Sequence, residues 1–113
     1  MHLSGTTIDR GGANDDEITY AALVKALKEG AVALVDVREQ NEWDAGHVDG
    51  ATLHPLSLFD PEELPRDRPI VLICRSGNRS MTALRAARAA GFTDIWHYKG
   101  GVLGWAREGG VLA

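Results

Sequence analysis

Two short apolar runs constrain this chain more than anything else in its sequence. Ala31 to Val37 is almost entirely apolar up to Asp36, and Ile70-Val71-Leu72-Ile73 follows directly on Pro69. Neither run alternates with polar residues, so each reads as a strand covered on both faces, and such strands belong to parallel sheets. Asp94 to Tyr98 reads as a third strand, and Ala51 to Leu53 as a short fourth that must stop by Pro55. Helical spacing lies between them. Tyr20, Leu23, Val24 and Leu27 fall at i, i+3, i+4 and i+7, with Thr19 placed to cap the start and Gly30 to end the segment. Ser80 to Ala90 carries Met81, Leu84 and Ala87 on one face, with Arg85 and Arg88 displaced from it and Gly91 as terminator. This alternation predicts an α/β fold with crossover connections and a mainly parallel sheet flanked by helices. Binding groups then belong in the loops at the carboxyl ends of the strands.

A chain of 113 residues, 44% of them apolar, fits one domain with one core, and at this length neither a metal nor a disulfide is needed to hold it. Residues 17–113 are assigned to that domain. Residues 1–16 are rich in Gly, Thr, Asn and Asp and are expected to form a flexible arm. Leu56 to Asp67 reads as a linker with a short helical turn at Pro61 to Leu64. The formal charge of −4, from 12 basic and 16 acidic residues, argues against a protein that tracks nucleic acid. No apolar run approaches the roughly 20 residues of a membrane helix, and Met1 to Arg10 lacks a secretory signal, so the expectation is a cytoplasmic protein without membrane contact. A monomer is the expectation for one short domain with no apolar seam.

Cys74 is the only cysteine, which excludes an internal disulfide. Three readings remain for its thiol: core filler, a bridge to another molecule, or a reactive group. Its place favours the reactive group. The buried run Ile70 to Ile73 leads straight into Cys74-Arg75-Ser76-Gly77-Asn78-Arg79, and a helix begins near Ser80. Amides at a helix start have no partners of their own and favour an anion in front of them. Gly77 and Asn78 are residue types that tolerate the left-handed backbone of a tight cradle. A free thiol is only about 3% ionised at pH 7; a fall of about two units in pKa, worth about 2.7 kcal/mol, makes most of it thiolate. Arg75 and Arg79 add positive charge to the same loop.

Three separated motifs then fall into a known order. They are Asp36-Val37-Arg38-Glu39 leading to Glu42 and Gly46-His47-Val48-Asp49-Gly50-Ala51, the loop Cys74 to Arg79 with Ser80, and Tyr98-Lys99-Gly100-Gly101 followed by Trp105. In these motifs, spanning about Ile18 to Arg107, the sequence resembles the rhodanese family. The resemblance implies a three-layer α/β/α fold around a five-stranded, mainly parallel sheet. It also implies attack of a thiolate on a sulfane sulfur, giving a persulfide that is handed to cyanide, a thiol or a protein acceptor. By the same resemblance Cys74 takes the nucleophile's position. Arg75, Ser76, Gly77, Asn78 and Arg79 form the loop that binds donors such as thiosulfate or a persulfide, and no cofactor is required. Phosphatases of the related fold resemble Cys-x5-Arg, whereas four residues separate Cys74 from Arg79 here. The shorter ring suits one transferred sulfur atom.

The remaining polar residues have plainer readings. Asp36, Arg38 and Glu42 are placed to form a charge network that orients loops near the site. His47 reads as a packing or hydrogen-bonding residue, because an ionised sulfur needs no base. His2, His54 and His97 show no metal-ligand spacing, and one cysteine cannot complete a thiolate zinc site. No G-x-G-x-x-G or P-loop pattern occurs. Two alternatives to an enzyme stay open: a binding module whose thiol is incidental, and a redox sensor in which Cys74 forms a mixed disulfide or sulfenic acid with no resolving cysteine in the chain.

Overall fold

The computed structural model describes residues 8–113. Its elements run α1 (Tyr20–Lys28), β1 (Ala33–Asp36), α2 (Gln40–Asp44), β2 (Thr52–Leu53), β3 (Ile70–Ile73), α3 (Asn78–Ala89), β4 (Ile95–His97) and α4 (Gly101–Arg107). Short 3-10 turns cover Leu56–Leu58 and Pro61–Glu63 in the linker. All strand pairs are parallel, in the order β2-β1-β3-β4.

The two continuous apolar runs became the two central strands for the reason their composition suggested. Both faces of β3 are buried, and its alternate residues feed two separate cores. Val71 and Ile73, with Leu34 of β1, pack against Leu23 and Ala26 of α1 and Val102 and Trp105 of α4. Ile70 and Leu72, with Val35, pack against Ala83, Leu84 and Ala87 of α3. Fully burying a Leu or Ile side chain is worth about 1.5–3 kcal/mol. These two layers therefore hold the sheet rigid, and Cys74, itself in the α3-side core, is anchored with it.

The expected fifth strand is reduced to a single parallel bridge between Glu17 and His97 at the β4 edge. Pairing starts there, with the Ile18 amide donating to the His97 carbonyl and the His97 amide to the Asp16 carbonyl. It stops because Thr19 already caps α1, its hydroxyl accepting from the Ala22 amide. The sheet thus has four strands among the described residues.

The expected arm divides. Residues 1–7 lie outside the described residues. Residues 8–16 carry specific contacts: Ile8 packs against the α1-side core, the Arg10 guanidinium lies 5.1 Å over the Trp96 ring, and Asp16 pairs with Arg88 of α3. Their polar composition suggested looseness, yet the charged groups find partners on the fold. Helix α3 begins at Asn78, two residues earlier than its apolar spacing indicated, so the last two residues of the Cys74 loop, Asn78 and Arg79, are already helix.

Candidate active site

The site is built at the carboxyl end of β3, where sheet geometry exposes backbone groups that no strand partner uses. The exit of β3 is tied on both sides. The Val37 amide donates to the Ile73 carbonyl at 2.8 Å, and the Val102 and Leu103 amides of α4 donate to the carbonyls of Cys74 and Arg75 at 2.8 and 3.2 Å. Gly101 allows that approach: it adopts φ +66°, and a Cβ there would run into the Cys74 and Arg75 carbonyls. Gly77 closes the turn on the other side at φ +104°, where a Cβ would stand 2.5 Å from the Lys99 carbonyl oxygen.

This turn folds the loop back over the sulfur. The Gly77 amide reaches Cys74 Sγ at 3.1 Å and the Ser80 amide at 3.3 Å, with Ser80 Oγ 3.5 Å away. Burial pushes the thiol pKa up. Hydrogen bonds from the Ser80 hydroxyl and from the amides of Ser80, Gly77 and Ser76 more than reverse this, leaving the thiol below its ordinary value. The sulfur's residue is only 1% exposed, while Arg75, Ser76 and Asn78 around it are exposed. The sulfur thus sits on the floor of the loop, beneath an exposed rim.

Arg79 does not direct its guanidinium freely into the loop. It forms a two-pronged pair with Glu42 of α2, at 2.6 and 2.9 Å. That hydrogen bonding outweighs the opposing effect of burial and holds the Glu42 carboxyl down at about 2. The same partner, against burial, raises Arg79 above its ordinary value, and the Cys74 charge adds a smaller contribution. Arg79 remains a fixed cation close enough to feel the sulfur.

Behind this pair lies the network expected around Asp36. The Arg38 guanidinium clasps the Asp36 carboxylate with contacts of 2.8–3.0 Å, and reaches the carbonyls of Glu42 and Gly46 at 3.3 and 2.9 Å. Asp36 and Arg38 are both buried. A chain of charges therefore runs from the end of β1 through α2 to the Cys74 loop. His47 stacks on Trp43, with ring centroids 3.7 Å apart, and its Nδ1 lies 3.0 Å from the Trp43 carbonyl.

Sequence reasoning overlooked two features of this site. Helix α2 has no buried residue and hence no apolar period, but Glu39 and Glu42 carry its signature, the Glu39 amide donating to Glu42 Oε1 at 3.1 Å. The second is His97, whose Nδ1 stands 2.7 Å from Ser80 Oγ. A histidine between Ile95-Trp96 and Tyr98, in a run read as a buried strand, was the available signal. No cluster of His, Cys, Asp and Glu suited to a metal ion occurs among the described residues, and no helix among them is long and apolar enough to cross a membrane.

Comparison with known proteins identifies the family of the fold. Residues 19–108 match the family described as the rhodanese-like domain. The chain is 48% identical over 81 residues to the probable adenylyltransferase/sulfurtransferase MoeZ of Mycobacterium tuberculosis, an alignment covering 68% of this chain and 21% of MoeZ. It is 36% identical over 80 residues to a sulfurtransferase of Allochromatium vinosum, covering 69% of this chain and 75% of that one. The human single-domain sulfurtransferase TSTD1 superposes with a TM-score of 0.74 at 27% identity, covering 85% of this chain and 98% of TSTD1. The chain thus spans about a fifth of MoeZ, and about half of two other curated relatives.

Proposed function

Starting from the fact that this chain belongs to the rhodanese-like family, we propose that it is a sulfurtransferase that carries sulfane sulfur on Cys74. The observation that supports this most is the pair of amides, from Gly77 and Ser80, that hold Cys74 Sγ at 3.1 and 3.3 Å. With thiosulfate as donor, the Cys74 thiolate attacks the outer sulfur. A Cys–S–S⁻ bond forms, the donor's S–S bond breaks, and sulfite leaves with that electron pair. Cyanide or a thiolate then takes the outer sulfur and returns Cys74 to thiolate. Two anions enter and two leave in each half-reaction, so no cofactor and no redox partner is consumed.

The loop suits both stages. Its amides favour negative charge whether it rests on Sγ or one atom further out. Loading extends the side chain by one S–S bond, about 2 Å, which carries the transferable atom from the covered floor toward the exposed rim of Arg75, Ser76 and Asn78. Acceptors therefore need only reach the rim. Small sulfur donors and thiols, free or on a partner protein, fit that access, and Arg75 adds charge for anionic donors.

Mixing the protein with thiosulfate is expected to give a species heavier by one sulfur atom, which cyanide strips as thiocyanate. Cys74→Ser is expected to keep the fold and lose both. Absence of the adduct on folded wild-type protein, with thiosulfate and with a small persulfide alike, would overturn the proposal.

A further inference from the structure

Ser80 Oγ is surrounded by three polar neighbours, and its single hydrogen serves only one of them at a time. His97 Nδ1 is 2.7 Å away, the Gly77 carbonyl oxygen 3.2 Å and Cys74 Sγ 3.5 Å. Ser80 and His97 are both buried, at 0% and 1% exposure. The Gly77 carbonyl already accepts from the Met81 amide at 3.2 Å, so it does not depend on the hydroxyl.

The other ring nitrogen settles which way the hydrogens run. His97 Nε2 is buried and has no hydrogen-bond partner among the described residues. If Nε2 carried the proton, an N–H donor would be orphaned in the core, and Nδ1 would draw the Ser80 hydrogen away from the sulfur. If Nδ1 carries it, the orphan is an acceptor, the better tolerated of the two. Nδ1–H then donates to Ser80 Oγ, and the hydroxyl hydrogen is left for the sulfur. A bond from a neutral donor to a thiolate is charge-assisted and gains more than one to a carbonyl that is already satisfied.

We infer that His97 is a positioning residue for the Cys74 thiolate: its Nδ1–H donates to Ser80 Oγ and thereby turns the Ser80 hydroxyl hydrogen onto the sulfur. The inference rests on the sulfurtransferase reading in taking Cys74 as a thiolate. His97 does not touch the reacting atoms. It is held neutral because burial lowers its pKa, with Glu17 and Asp16 opposing and Lys99 and Arg88 assisting. A neutral ring is what the relay requires, since an imidazolium would keep a proton on Nε2 as well, with no acceptor to receive it. Of the charged side chains, Arg79 feels the Cys74 charge as a minor contribution.

The wild-type protein tests this directly. Nitrogen-15 NMR of the full chain is expected to find His97 protonated on Nδ1 and bare on Nε2 near neutral pH; the opposite tautomer would overturn the inference. Ultraviolet titration of the thiolate gives a second readout. His97→Phe is expected to lower the thiolate-to-thiol ratio at neutral pH by about tenfold, one pKa unit. His97→Asn, which offers an amide N–H at the same place, is expected to restore it to within about threefold of wild type. In a Ser80→Ala background the two substitutions are expected to be indistinguishable. A folded His97→Phe protein that titrates like wild type would overturn the relay. An ordinary alkaline thiol in the wild type would overturn the sulfurtransferase reading instead, while the tautomer still decides the hydrogen-bond assignment.

Discussion

Gly77 and Cys74 illustrate how much a single residue can decide. The φ of +104° at Gly77 aims its amide at the sulfur, and a methyl group there would meet the Lys99 carbonyl oxygen. Gly77→Ala is therefore expected to open the loop and weaken the hold on the thiolate. The sign follows from the lowered thiol: activity is expected to rise as pH climbs through the pKa of the folded site, which lies below the ordinary thiol value. In Gly77→Ala the acid limb of kcat/KM for thiosulfate is expected to move to higher pH, approaching that ordinary value. An unmoved limb would show that the amide does not stabilise the ionised sulfur. At this scale the sequence was readable where chain neighbours act together, because Cys74, Gly77 and the coming helix lie within a few residues. The meeting of Ser80 with His97 was not, since 17 residues separate them and only the packing of α3 on β4 joins them.

Among the helices, α2 is held by charge, with no residue buried. Its five residues bury no side chain fully, so its position rests on the Glu39–Glu42 capping contact, the Arg38 guanidinium and the Arg79 pair. Glu42→Gln keeps a side-chain acceptor for the cap but removes the charge. It is expected to cost about 2 kcal/mol at neutral pH, in line with lost charge-assisted hydrogen bonds. Because the folded carboxyl is held at about 2, below its usual 4.5, the stabilisation is present above about pH 4.5 and is lost as pH falls through about 2. Chemical denaturation of wild type and Glu42→Gln at several pH values should show the gap closing over that interval. A gap independent of pH would remove Glu42 ionisation as its source. The long apolar elements were legible because burial writes itself into spacing. A helix held by ion pairs leaves no such period, only the Glu39 and Glu42 signature.

Across the whole molecule, the segment ahead of α1 acts as an edge of the sheet. It supplies the Asp16 carbonyl to the His97 amide, the Asp16 carboxylate to Arg88, and Arg10 to the face of Trp96. Deleting residues 1–16 is expected to destabilise the domain by about 2 kcal/mol, from the lost backbone hydrogen bonds to His97 and Thr19, the Asp16–Arg88 pair and one cation–π contact with their packing. Thermal unfolding measures it, and an unchanged midpoint would make these contacts energetically idle. Polar composition concealed them, for a sequence reveals charged residues without revealing where their partners lie. The ties between α4 and the exit of β3 carry a different consequence. The cup around the sulfur has two suppliers, one directly after Cys74 and one beginning about 25 residues later at Tyr98-Lys99-Gly100-Gly101. A protein engineer who transplants the hexapeptide alone into another scaffold would carry over the thiol without its mould, and only both segments, at this spacing, would transfer the chemistry.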